Sequence, residues 1–238
     1  MNTLVPDGFD ILLEDGPAMF VQKPGGLATQ APPNVDSLEV RIKRFIKVRE
    51  NKPGNVYLAV PHRLDRPVSG VMVFAKHVRA AKRISRQFEN RLVQKTYWAC
   101  VSGLVEEDRG TWVDYLRKIP GKAKSEIVSE SHSEGKKAVL HFEVMKRSAS
   151  KTWLQIQLET GRTHQIRLQL SSRSFPILGD NLYGSNEQFG PVTEDERAKW
   201  IALHARRISL RHPMHDEMQS VEAPLPIYWH TAGISHDS

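Results

Sequence analysis

The sequence predicts an α+β fold, a mixed and mainly antiparallel sheet with flanking helices, and three observations predict it. Segments of period two recur along the chain. The clearest is Thr152 to Glu159, where Leu154, Ile156 and Leu158 alternate with Gln155 and Gln157, as in a strand with one buried face. A smaller number of segments place apolar residues three and four apart, as helices do. Strands and helices do not alternate in the regular βαβ order that a parallel sheet requires.

Taken in order, Phe9 to Leu13 reads as a strand, Glu14 to Pro17 as a turn and Ala18 to Gln22 as a second strand. Lys23-Pro24-Gly25-Gly26 forces a loop, and Ala31 to Asp36 is another. Ser37 opens a helix to about Glu50, with Leu38, Val40, Ile42, Phe45 and Ile46 on or near its inner face, and Asn51 to Gly54 ends it. Next come a strand over Val56 to Val60, a loop from His62 to Gly70, a strand over Val71 to Lys76, a basic helix, and a strand over Thr96 to Ser102. The polar stretch Glu106 to Ala138 reads as strands joined by exposed loops. Phe142 to Lys146 and Thr152 to Glu159 are strands. After Gly161, Ile166 and Leu170 mark a helix that ends near Ser172. Pro176 to Gly184 is loop-rich, Thr193 to Lys199 is predicted helical, and Leu203 to Leu210 is a strand.

The chain has 238 residues and 39% hydrophobic content, enough for an ordinary core. No apolar run approaches a membrane span. No basic residue precedes Lys23, while Asp7, Asp10, Glu14 and Asp15 do, the opposite of a secretory or transit leader, so a cytoplasmic location is expected. The one cysteine, Cys100, sits in an apolar run and reads as core; no Cys cluster or His-Glu-x-x-His pair suggests a metal. There is no Gly-x-Gly-x-x-Gly segment and no phosphate-binding loop, so no nucleotide cofactor is expected.

The formal net charge of +7 suits a polyanionic partner. Much of it is local. Between Lys76 and Lys95 stand Lys76, Arg79, Lys82, Arg83, Arg86, Arg91 and Lys95 against Glu89 alone. Val78, Ala81, Ile84 and Phe88 form the apolar stripe of that helix, leaving Arg79, Lys82, Arg83 and Arg86 on other faces, where they either contact phosphates or form a solvated surface.

The segment His62-Arg-Leu-Asp-Arg-Pro-Val-Ser-Gly70 places one carboxylate, Asp65, between Arg63 and Arg66, just before an apolar strand. Nearby positive charge favours the ionised form, which suits a nucleophile. An Asp between a strand and a turn is also a common cap or Asx-turn. A second junction, from strand through glycine to helix, lies at Gly161-Arg162-Thr163 and leads to Arg167. A tyrosine on a strand, such as Tyr97, is ordinarily core.

Several segments carry a resemblance: Lys23-Pro-Gly-Gly-Leu27, the nine residues around Asp65, Lys95-Thr-Tyr97, Gly161-Arg-Thr-His-Gln-Ile-Arg167, Ile177-Leu-Gly-Asp-x-x-Tyr-Gly184 and Leu203-His-Ala205. Their order resembles that of RluA-type pseudouridine synthases, from about residue 10 to 228. The resemblance implies a catalytic domain with a central active-site cleft, expected here as a single domain over residues 1–238: many family members carry a small basic RNA-binding domain ahead of it, but only some ten residues precede the first strand, so no separate N-terminal RNA-binding domain is expected. It implies isomerisation of uridine to pseudouridine in ribosomal or transfer RNA, by a monomer that needs neither metal nor cofactor and no membrane.

Residue by residue, it implies that Asp65 is the nucleophile, Arg167 its ionic partner, and Tyr97 the aromatic that stacks on the target uracil. Arg63 would occupy the place the flipped nucleotide leaves. His62 would brace the loop, Thr163 and His164 would cap or position the helix, and Arg66 and Arg162 would lie toward the RNA. Whether Asp65 attacks the ribose, attacks the base or abstracts a ribose proton stays open. Two positions depart from the family pattern: Val68, where Thr is common, and Gln169, where His is common. A basic RNA-binding module without catalysis is the alternative from another class. A glycosidic hydrolase is a third reading, for which the sequence offers no second carboxylate in a comparable motif.

Overall fold

The computed structural model describes residues 5–231 and 233. It is an α+β fold built on a mixed, mainly antiparallel sheet of ten strands with few helices. In chain order the elements are β1 (Asp10–Asp15), β2 (Ala18–Lys23), α1 (Leu38–Arg49), β3 (Ser69–Ala75), α2 (Val78–Glu89), β4 (Gln94–Ser102), β5 (Arg109–Lys118), β6 (Ser125–Val128), β7 (Lys136–Ser148), β8 (Lys151–Leu158), α3 (Gln165–Ser171), β9 (Leu203–Arg211), β10 (Met218–Glu222) and α4 (Tyr228–Thr231). A single 3-10 turn, Asn181–Tyr183, lies between α3 and β9.

The chain forms two compact units. The first comprises Met1–Gln94, Thr193–Ala198 and Ala205–Leu225; the second comprises Lys95–Val192, Lys199–His204 and Pro226–Ser238.

In the first unit β1 pairs with β2 and β2 with β3, both antiparallel, and β10 pairs with β9. Every residue of β3 is buried, as a central strand with an uninterrupted Ser-Gly-Val-Met-Val-Phe-Ala sequence should be. Phe20, Val71, Val73, Ala80, Ala81, Ile84, Ile208, Leu210 and Val221 form the core, with α2 covering one face of the sheet. Ser37 caps α1 by accepting from Val40 N, and His77 Nδ1 caps α2 by accepting from Ala80 N. Gly70 is a backbone requirement. Its φ is +124°, and a β-carbon there would stand 2.3 Å from Ala205 O.

In the second unit β4 pairs with β8, β8 with β7, β7 with β5 and β5 with β6, all antiparallel. Leu116, Ala138, Leu168 and Tyr183 pack as one cluster, which seats α3 against β5 and β7.

Several sequence expectations need correction. Val56 to Val60 is not a strand: Ala59 makes one bridge to Ala75, and Pro61, which has no N–H, follows at once. Thr193 to Lys199 is a turn rather than a helix. Thr193 Oγ1 accepts from Asp195 N and Asp195 Oδ1 from Arg197 N, so side chains take the donors that a helix would use, and no apolar stripe rewards winding it. On α2 the buried residues are Ala80, Ala81 and Ile84, while Val78 is exposed. On α1 Val40 is exposed as well. Strand β10, which the sequence pattern does not predict, completes a hairpin with β9.

Candidate active site

The Asp65 loop is built into the first unit from both sides. Leu64 and Val68 are buried, anchoring its two ends in apolar surroundings. Thr29 Oγ1 donates to Leu64 O at 2.9 Å and accepts from Leu64 N at 3.2 Å, so one hydroxyl satisfies both backbone groups of the residue before Asp65. Val68 N donates to Asp65 O at 3.0 Å and closes a turn. Val68 is buried, and nothing in the structure explains why it stands where Thr is common.

Lys23, at the end of β2, is fully buried. Its ammonium donates to Leu27 O at 2.7 Å, Pro24 O at 2.8 Å and Arg66 O at 3.0 Å. Three N–H donors meet three carbonyls, and the Pro-Gly-Gly loop is thereby tied to the Asp65 loop. Burial pushes the Lys23 pKa down from 10.5 to about 7; the Asp65 carboxylate works against that shift and Arg66 adds to it. Sequence reasoning gave Lys23 no role. The available signal was a lysine closing an otherwise apolar strand directly before Pro-Gly-Gly.

His62 accepts at Nε2 from Val73 N at 3.1 Å, and its ring stacks on Phe88 with centroids 4.6 Å apart. An imidazole that accepts at Nε2 carries its proton on Nδ1, so His62 ties the loop to β3 and α2 as a neutral ring. Arg63 is exposed and Arg66 half-buried. On α2, Arg79, Lys82 and Arg86 are exposed and spaced three and four apart, whereas Arg83 donates through Nη1 to Pro213 O at 2.6 Å.

Tyr97 and Arg167 belong to the second unit, as do Arg162, Thr163 and His164. Tyr97 is buried on β4. Arg167, in α3, is 5% exposed and makes a two-pronged pair with Asp180: Nε to Oδ2 at 2.7 Å and Nη2 to Oδ1 at 2.8 Å. Its guanidinium also lies 5.1 Å from the centre of the Tyr183 ring. Asp180 takes two of the five guanidinium donors and fixes the plane of the fork. In the sequence Asp180 belongs to a motif but has no role of its own. The structure makes it the residue that orients Arg167.

The turn into α3 is held by Gln165, whose Oε1 accepts from Thr160 Oγ1 at 2.8 Å and Arg162 N at 3.0 Å, while Nε2 donates to Val139 O at 3.1 Å. His164 occupies the N-cap position but makes no side-chain capping bond. Its φ is +56°, and its Nδ1 lies 2.9 Å from Tyr183 Oη. Thr163 is exposed, and its carbonyl accepts from Ser125 Oγ. Arg162 Nε donates to Lys137 O at 2.9 Å. Gln169, fully buried, donates through Nε2 to Asp114 Oδ2 at 2.7 Å, and Arg173 pairs with the same carboxylate at 2.9 Å. In this chain the amide at position 169 thus pins α3 to β5.

A carboxylate on a rigid loop, a buried arginine oriented by a second carboxylate, and a buried strand tyrosine are parts that suit chemistry on a nucleoside. Comparison with known proteins agrees. The RNA pseudouridylate synthase family model matches residues 18–172. The uncharacterized RNA pseudouridine synthase YhcT of Bacillus subtilis is 34% identical over 231 residues, covering 94% of this chain and 72% of that protein. Ribosomal large subunit pseudouridine synthase D of Neisseria meningitidis serogroup B is 33% identical over 226 residues, 93% of this chain and 59% of its own length. Among solved structures, human RNA pseudouridylate synthase domain containing 4 superposes with a TM-score of 0.75 at 24% identity, over 93% of this chain and 90% of that one, which supports the fold. The chain belongs to the RluA family of RNA pseudouridine synthases, which are isomerases.

Proposed function

We propose that the chain isomerises particular uridines in RNA, as a single catalytic domain acting in the cytoplasm, with Asp65 as nucleophile. What carries the reading, in a chain of this family, is the construction of the Asp65 loop: backbone held by Thr29, Lys23 and His62 and ends sunk in the core, with Asp65 half-buried between them. A reactive group held this firmly loses little freedom when a substrate arrives.

In this reading Asp65 assists departure of uracil from the ribose and the base is rejoined through its carbon 5. Tyr97 lies against the uracil ring, and Arg167, oriented by Asp180, supplies the positive charge that the reaction uses. Arg63, exposed on the same loop, enters the RNA stack in place of the extruded nucleotide, which offsets part of the few kcal/mol that extrusion costs. Arg66, Arg162 and the exposed cations of α2 meet the phosphate backbone. Ribosomal RNA is the first candidate substrate, because a relative sharing 33% of its residues is a ribosomal large subunit enzyme; transfer RNA is the second. Mapping pseudouridines in a strain lacking this protein decides between them.

The test is Asp65→Asn. It is expected to abolish tritium release from RNA labelled at carbon 5 of uridine while RNA affinity stays within a few-fold. A fully active Asn variant would remove Asp65 from the mechanism. A wild-type protein that binds RNA without releasing tritium from any cellular RNA would indicate a binding module instead.

A further inference from the structure

The second unit holds a cation that the proposed chemistry leaves unused. Lys95 lies on β4 two residues before Tyr97, so the two side chains point to the same side of the strand. Its ammonium sits against the backbone of Gly161: a β-carbon on that glycine would stand 3.6 Å from Nζ. Among the described residues the ammonium has neither an ion-pair partner nor a hydrogen bond. Burial alone lowers its pKa, with no opposing carboxylate. Glu159, two residues before Gly161, is engaged with His141 Nε2 at 2.6 Å. Arg162, next in the chain, spends its Nε on the Lys137 carbonyl at 2.9 Å and brings no anion to Lys95.

A half-buried ammonium without an anion costs free energy, since water has been removed and nothing has replaced it. The cost is recovered if a ligand supplies the anion. Lysine, a compact point charge on a flexible stem, suits a single phosphate oxygen and needs no planar fork.

We propose that Lys95 binds a phosphodiester of the RNA strand next to the nucleotide received by Tyr97. The inference rests on the reading of Tyr97 as the residue against the target base. The phosphate supplies the missing negative charge, and Gly161 leaves room for it beside the ammonium. Lys95 thereby fixes the strand on one side of the reacting nucleotide, an assignment separate from the exposed cations of α2.

The experiment measures the affinity of wild type, Lys95→Met and Lys95→Arg for a fluorescein-labelled, uridine-bearing RNA stem-loop over a range of salt concentrations. In Lys95→Met the slope of log K against log salt is expected to shrink by about 0.7, the loss of one phosphate contact on a single strand, with Lys95→Arg close to wild type. A slope unchanged in Lys95→Met would overturn the proposal, because a purely packing role would alter thermal stability without touching the salt dependence. Wild-type protein reductively methylated with carbon-13 gives a second reading that needs no folded Met variant. Its Lys95 resonance, assigned with Lys95→Arg, is expected to shift on adding the stem-loop, and a stationary resonance would also refute the contact. Tritium release is scored separately: loss of the Lys95 effect in an active enzyme sinks this inference alone, and an inactive enzyme with an intact Lys95 slope sinks the isomerase reading alone.

Discussion

Replacing Lys23 by methionine probes the buried ammonium that ties the Asp65 loop to the Pro-Gly-Gly loop. In the folded protein the Lys23 pKa is about 7, and the ordinary value is 10.5. Below pH 7 both folded and unfolded chains hold the proton, so this group adds no pH dependence. Between pH 7 and 10.5 the unfolded chain binds a proton that the folded chain has released, and stability rises with pH. The whole window amounts to about 5 kcal/mol, and the part between pH 7 and 9 to about 2 kcal/mol, since one proton difference is worth roughly 1.4 kcal/mol for each step of one in pH. The assay is urea unfolding of wild type and Lys23→Met at pH 7 and pH 9, reading the difference between the two proteins so that other titrating groups cancel. Wild type is expected to gain about 2 kcal/mol over the variant. Asp65→Asn removes the carboxylate that holds the Lys23 pKa up, and is expected to extend the window to lower pH while its upper edge stays at the ordinary lysine value. Parallel behaviour of wild type and Lys23→Met between pH 7 and 9 would refute this reasoning.

Three further outcomes are expected. Asp180→Asn replaces the carboxylate of the two-pronged pair with Arg167 by a neutral amide and should cost about 1.5 to 3 kcal/mol by urea unfolding, with tritium release lowered even where the protein stays folded. Gly70→Ala drives a β-carbon into the Ala205 backbone at a φ of +124° and should lower stability by on the order of 3 kcal/mol or more, read as a fall in Tm. Neutralising Arg79, Lys82 and Arg86 together should flatten the salt dependence of RNA binding by about 2 in slope while thermal stability changes little; an unchanged slope would make that helix face a merely solvated one.

Elements with strong periodicity were legible in the sequence. The β8 alternation and the capped, amphipathic α1 rest on local physics, and both occur within a residue or two of where the pattern places them. Val56 to Val60 has strand-forming residues but no ladder beyond one bridge, because β3 already has β2 and β9 on its two sides. No local window contains that fact. The same holds for the roles of Lys23 and Asp180. A lysine at a strand end and an aspartate in a loop look like surface residues until the chain has brought three carbonyls to one and a guanidinium to the other. The segments carrying Asp65, Tyr97 and Arg167 were visible because their motifs are specific as sequence. What holds Asp65 and Arg167 in place was not.

The double grip of Thr29 on Leu64, together with the burial of Leu64 and Val68, has a consequence for the energetics of recognition. Backbone order that other binding loops acquire only on contact is here already complete when the chain folds, so RNA binding does not have to include it. The entropy of association then falls mainly on the nucleic acid, which must unstack one nucleotide to present it. Discrimination among uridines is accordingly expected to follow how readily each RNA site releases its base, with the protein loop acting as a fixed gauge against which that readiness is measured.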